Sequence, residues 1–239
     1  NFRSVSPIIH SINALGIYRT DLLSYEGIHS CPLWITQARL FSEEHPFSVG
    51  VLVHRTRTDV HRSPTEIQLT VHAVLRLWND SSKSLIEFFT DHVGIVTPHN
   101  AQRIALGDQL EQKLASDFST EEQQRSKEIQ VLRGAIRTVD KFQGSDRSVI
   151  ISSVGVSSPV RLKEEEDFLY QLNRFNVTIS RPKYRLLFIC SQTFLLHIPK
   201  MESGIKMIKG LNTIIKKICV QQATVHVDGH DCILHYSSK

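Results

Sequence analysis

The feature that most restricts this chain is an alternation of short apolar runs with longer amphipathic stretches. Runs at residues 47–53, 93–96, 135–139, 148–154 and 185–190 are rich in Val, Ile, Leu and Phe. Short, nearly continuous apolar runs of this kind read as strands buried on both faces. Between them lie stretches with helical spacing. Residues 64–78 place Ile67, Val71, Val74, Leu75 and Trp78 on one side, residues 100–114 do the same with Ile104, Leu106, Leu110 and Leu114, and residues 168–179 form a third. Strands and helices that alternate in this order predict an α/β fold, a parallel sheet with helices on both faces.

The intervening segments are polar. Residues 116–127 are rich in Glu, Gln and Ser, and residues 157–167 carry a proline and an acidic run, so both are expected to be exposed connectors. After about residue 200 the pattern changes. Residues 201–218 suit a basic amphipathic helix, and residues 223–236 alternate around Asp228-Gly229, a hairpin signal. The expected organisation is a main domain over residues 1–200 and a helix-hairpin extension over 201–239. The chain starts at Asn1 and reads as a piece of a longer protein.

Composition excludes several classes. The 239 residues include 28 Lys+Arg and 24 Asp+Glu, a net charge of +4 that says little about partners by itself. No apolar stretch approaches the roughly 20 residues that span a bilayer, so no membrane partner is expected. Cys31, Cys190, Cys219 and Cys232 are far apart and form no CxxC pair, which disfavours a zinc ribbon or redox motif and suits a reducing, intracellular compartment, nucleus or cytoplasm. Cys190 ends an apolar run and reads as a core thiol. His226, Asp228, His230, Asp231 and Cys232 cluster near the hairpin turn, but one hairpin seldom supplies a whole metal site. They read as a polar turn, and no metal site is expected. The chain also has no GxxxxGK[ST], and no glycine is followed by lysine, so it has no phosphate-cradling P-loop.

Four segments carry the candidate chemistry. They are Asn1-Phe2-Arg3-Ser4; Val93 to Gln102, which includes Thr97-Pro98-His99; Thr138 to Asp146, which includes Phe142-Gln143-Gly144; and Leu172 to Arg181. Thr97 and Thr138 fall just past predicted strands, where an open α/β sheet binds ligands, and would present hydroxyls suited to a phosphate. Gly144 would let backbone approach a ligand closely. Arg174, Thr178 and Arg181 stand at i, i+4 and i+7 and would share one polar helical face with no nearby acid, inviting an anion.

The order and content of these segments resemble the second RecA-like motor domain of superfamily 1B helicases. That group includes the nonsense-mediated-decay helicase and the Okazaki-fragment nuclease-helicase, and the resemblance runs from Asn1 to about Ile198. Its signatures are QYR or NYR, GIVTPYxxQ, SVDxFQGxE and RLNVAxTRA. The resemblance implies a RecA-like fold and an ATP site shared with an N-terminal RecA-like domain that holds the P-loop and Mg²⁺ carboxylates. It implies that Arg3 and Arg181 neutralise γ-phosphate charge, with Arg181 the arginine finger. Phe2 would pack on the adenine, Gln143 and Gly144 would lie at the phosphates, Asp146 near the ribose, and Arg174 in the same nucleotide-binding set. Thr97, Pro98 and Thr138 would hold single-stranded RNA or DNA, moved 5′ to 3′ as ATP with Mg²⁺ is bound and hydrolysed. Phe2, Asp146 and Pro182 depart from the family's tyrosine, glutamate and alanine. Asp146 and Pro182 favour the alternative, a catalytically decayed nucleic-acid-binding or scaffold module. A third class, a doubly wound nucleotide-binding domain of other function, is disfavoured because no glycine-rich phosphate loop exists.

Overall fold

The computed structural model describes residues 4–18, 20–23, 31–41, 46–58, 61–142 and 145–238. Helices α1 (Ser6–Asn13) and α2 (Leu33–Gln37) precede β1 (Val49–His54). There follow α3 (Pro64–Asp80), α4 (Leu85–Glu87), a π-turn over Phe88–His92, β2 (Val93–Thr97), α5 (Asn100–Lys113) and α6 (Glu122–Ala135). Next come β3 (Ile136–Thr138), β4 (Arg147–Ser153), α7 (Pro159–Glu164), α8 (Glu166–Leu169), α9 (Leu172–Ile179) and β5 (Pro182–Ser191). The chain continues through α10 (Gln192–Leu196), α11 (Glu202–Thr213), β6 (Gln221–Val227) and β7 (His230–Tyr236).

The strands form one seven-stranded sheet in the order β3-β2-β4-β5-β1-β7-β6. The first five run parallel, and the β6–β7 hairpin adds two antiparallel strands beside β1. This is a RecA-like α/β fold. The period of two along each strand divides the core between the faces. Leu186, Phe188 and Cys190 of β5 pack with α1, α9 and α11, whereas Leu187 and Ile189 pack with α3, α5 and α6. All five parallel strands therefore end on one edge, at His54, Thr97, Thr138, Ser153 and Ser191. Val93, Arg147 and Pro182 begin their strands on the opposite edge.

Several sequence expectations change. The second half of the 116–127 connector is the start of α6. Its only buried residues are Glu128, Leu132 and Ala135, too few apolar positions to mark a helix by period. The 157–167 connector contains α7 and the start of α8. The helix expected over 168–179 breaks between α8 and α9. Tyr170 leaves the helical path there to bury its ring, stacking on Phe194 at 4.6 Å and donating its hydroxyl to the Phe194 carbonyl at 3.0 Å. On α5, Leu106 and Leu110 are buried, but Ile104 faces solvent. The helix and hairpin after residue 200 pack onto the rest of the sheet and its helices. Met207, Leu211 and Ile214 enter one core and Leu234 and Tyr236 the other.

Candidate functional site

After β3 ends at the carboxyl edge with Thr138, β4 begins at the amino edge with Arg147. Between them the chain makes a short 3₁₀ turn over Val139–Lys141, and the Phe142 amide donates to the Thr138 carbonyl at 3.1 Å. The Phe142 ring is buried and packs against Gly94, where a Cβ would stand 2.5 Å from its Cζ. A glycine in β2 is what admits that ring. The chain emerges at Asp146, at the amino end of β4. Thr138 and Asp146, eight positions apart in one motif, thus belong to opposite edges of the sheet.

At the amino edge three segments meet. Arg181 Nη1 donates to Asp146 Oδ1 at 3.2 Å. The Arg147 amide donates to the Arg181 carbonyl at 3.1 Å, and Arg147 stands opposite Pro182 in the sheet. Ser4 Oγ donates to the Pro182 carbonyl at 2.8 Å, and the Val5 amide to the Lys183 carbonyl at 2.9 Å. Phe2, Arg3, Gln143 and Gly144 lie outside the described residues. Sequence reasoning missed Arg147. Its Nη1 donates to the Asp146 carbonyl at 2.9 Å, and burial, with help from nearby Arg137, lowers its pKa from the ordinary arginine value. The Nε atoms of both Arg147 and Arg181 are buried and have no hydrogen-bond partner. Two guanidinium groups that each keep an unsatisfied donor, on segments joined by the Arg147–Arg181 backbone bond, favour an anion.

At the carboxyl edge the expected nucleic-acid contacts separate. Thr97 is wholly buried and its Oγ1 has no partner, so its hydroxyl does not face solvent as expected. The alternation of β2 explains this, since Thr97 follows Val93 and Ile95 onto the face covered by α3 and α5. Pro98 borders a cleft with Val139, Asp140, Phe168 and Arg174. Thr138 is half-buried.

Arg174 does have an acid beside it. Its Nη2 is 3.2 Å from Asp140 Oδ2, and its guanidinium lies 4.2 Å above the centre of the Phe168 ring. Nor does it share a helical face with Arg181. Helix α9 ends at Ile179, and Arg181 lies beyond the Ser180 cap, immediately before β5. Thr178 turns inward, its Oγ1 donating to the Arg174 carbonyl at 3.2 Å.

A buried polar network at the carboxyl edge left no trace in the sequence. Glu66 and His54, both fully buried, meet at 3.2 Å. Glu66 Oε2 also accepts from Ser153 Oγ at 2.9 Å and from the Gly155 amide at 2.8 Å. Gln102 extends the network, donating to Ser153 Oγ at 2.9 Å and accepting from the Ser63 amide at 2.8 Å. Ser63 in turn caps α3 by accepting from the Glu66 amide at 3.2 Å. The partners come from β1, α3, α5 and β4, and only folding brings them together.

The hairpin histidines do not converge. His226 pairs with Asp231 at 2.7 Å, whereas His230 reaches Gln68 of α3 at 2.8 Å. All four cysteines are free. Burial pushes the thiol of Cys190 well above its ordinary value, in keeping with a core thiol.

The family model described as an AAA domain matches residues 3–193. The chain belongs to this AAA domain family. Two curated relatives are similar to it, both named probable helicase senataxin. The mouse protein is 29% identical over 161 residues, and the human protein is 28% identical over 144 residues. These matches cover 65% and 60% of this chain but only 5% of each relative. The family match takes in β1–β5 and both edges just described, and stops short of α11 and the β6–β7 hairpin. Together these likenesses support a domain of the superfamily 1 helicase type. Among the described residues, no helix is long and apolar enough to cross a membrane.

Proposed function

We propose that this AAA domain is the second motor domain of an ATP-dependent helicase, whose amino edge completes an ATP site on a preceding RecA-like domain. The observation that carries this reading is the meeting of Arg181, Asp146 and Arg147 beside Ser4 and Val5, with two buried guanidinium donors unsatisfied. These donors fit a polyphosphate. Arg181 would neutralise charge that grows on the γ-phosphate, and Asp146, now paired with it, would hold it poised or turn to the ribose. Arg3, Phe2, Gln143 and Gly144 stay in this set by resemblance. Arg174, engaged with Asp140 and Phe168, is left out of it. Mg²⁺ would be held by carboxylates of the preceding domain and would neutralise phosphate charge there.

At the carboxyl edge, Pro98 and Thr138 would lie along single-stranded RNA or DNA. Thr97 would act through its place in β2 rather than through its hydroxyl. Movement of the strand would follow from closing and opening the cleft between the two motor domains.

The test is ATP turnover by the full-length protein with Arg181→Ala. Turnover should collapse while affinity for a single-stranded oligonucleotide changes little. Turnover at the unaltered rate would remove the finger role, and absence of turnover in the unaltered protein would leave a nucleic-acid-binding module without a working motor. Arg181→Lys should rescue little, because lysine lacks the planar fork.

A further inference from the structure

The carboxyl edge carries a side-chain cluster that the motor reading does not use. His61 lies on the segment before α3, His99 is the residue that starts α5, and Glu165 sits between α7 and α8. His61 Nδ1 is 2.9 Å from Glu165 Oε1, and His99 Nε2 is 3.0 Å from Glu165 Oε2. One donor atom from each of the three falls within 4.8 Å of the others.

We propose that His61, His99 and Glu165 bind a divalent transition-metal ion, with zinc the best match to the ligand set. Zinc binds imidazole nitrogen and carboxylate oxygen at about 2.0–2.2 Å, which puts neighbouring tetrahedral ligands about 3.4 Å apart. The two Glu165–histidine contacts, at 2.9 and 3.0 Å, already fall near that spacing, and all three donor atoms lie within 4.8 Å of one another. These contacts are short, yet His99 Nε2 and both Glu165 oxygens are buried and make no hydrogen bond. The groups stand at ion-pair distance without forming a hydrogen bond. A shared cation satisfies that arrangement, and a pair of hydrogen bonds does not.

The surroundings hold the ligands in place. The His99 ring lies 5.2 Å from that of His61 and 5.3 Å from that of Phe168. Exposure is uneven, with the His61 side chain 45% exposed but those of His99 and Glu165 only 15% and 17%. The set is therefore closed on one side and open on the other. Two histidines and a glutamate with a free fourth position are the ligand set of an open rather than a purely structural zinc site. The ion would tie three segments that are remote in sequence, next to Pro98. This inference stands on the cluster alone and does not depend on the motor reading.

The experiment is titration of the purified, chelator-stripped protein with Zn²⁺ by calorimetry, alongside elemental analysis of the metal retained after dialysis. One equivalent should bind, and Zn²⁺ should raise the melting temperature. Loss of an outer-shell partner alone costs roughly 10–100-fold in metal affinity, so His99→Ala and Glu165→Gln, which remove ligands, should each cost at least about that. Both should also abolish the thermal shift, whereas His226→Ala should leave both readouts unchanged. Absence of binding, or binding indifferent to both ligand variants, would overturn the proposal. Should those variants fail to fold, Co²⁺ added to the unaltered protein decides the matter. A visible band without thiolate charge transfer supports the site, and a thiolate band would assign the metal to cysteine and overturn it.

Discussion

The two edges of the parallel sheet handle polar groups in opposite ways. At the carboxyl edge, His54, Glu66, Ser63, Gln102 and Ser153 are buried and bonded to one another across four elements. At the amino edge, the Arg181–Asp146 pair is partly exposed and two neighbouring donors are left over. A buried network of hydrogen bonds fixes backbone positions, because removing a member strands its partners without water. A partly exposed ion pair stabilises little, and its charged groups can turn to an incoming ligand. The buried network thus fixes the shape of the carboxyl edge, whereas the amino edge carries an ion pair that can open to an anion. Between the end of β3 at one edge and the start of β4 at the other, the Phe142 ring is buried against Gly94.

Substitutions can break this contrast. The largest effect should fall on turnover. Arg181→Ala in the full-length protein should lower ATP hydrolysis by about 10³–10⁵, the usual worth of an arginine finger. Chemical denaturation should show stability nearly unchanged, and a protein that unfolds instead would make the amino edge structural as well.

Glu66→Ala should do the reverse. It strands His54, Ser153 and the Gly155 amide, and removal of one partner from a buried pair costs roughly 3–5 kcal/mol. Urea denaturation should show a midpoint shift of that order. A neutral result would mean that the network does not hold the edge together.

Gly94→Ala probes the connection between the edges. Its new methyl would press on the Phe142 ring, and overpacking of this kind costs roughly 1–3 kcal/mol. Displacing the ring should shift the segment that carries Asp146, so both stability and ATP turnover should fall. A loss of stability with turnover per folded molecule intact would show that the two edges act separately.

The smallest effect should come from Asp140→Ala. Its pair with Arg174 is 3.2 Å long, and the Asp140 side chain is 61% exposed. Surface pairs of this type contribute at most about 1 kcal/mol. A larger loss in the urea midpoint would move Asp140 and Arg174 into the structural set.

The apolar runs by themselves determined the five parallel strands and the main helices, because burial on both faces requires continuous Val, Ile, Leu and Phe. The Asp228-Gly229 turn determined the hairpin for an equally local reason, since both residues take positive φ. Helix α6 was not legible, because a helix that buries so few apolar residues has no period to read. Motif content marked Asp146, Arg181, Thr97 and Thr138, but not how they group. The turn of α9 at Ile179, the burial of Phe142 against Gly94 and the inward face of Thr97 decided that. Arg147, the Glu66 network and the His61–His99–Glu165 cluster were decided by tertiary structure alone. Their members are spread along the chain, and nothing local in a sequence records which side chains will meet across a sheet.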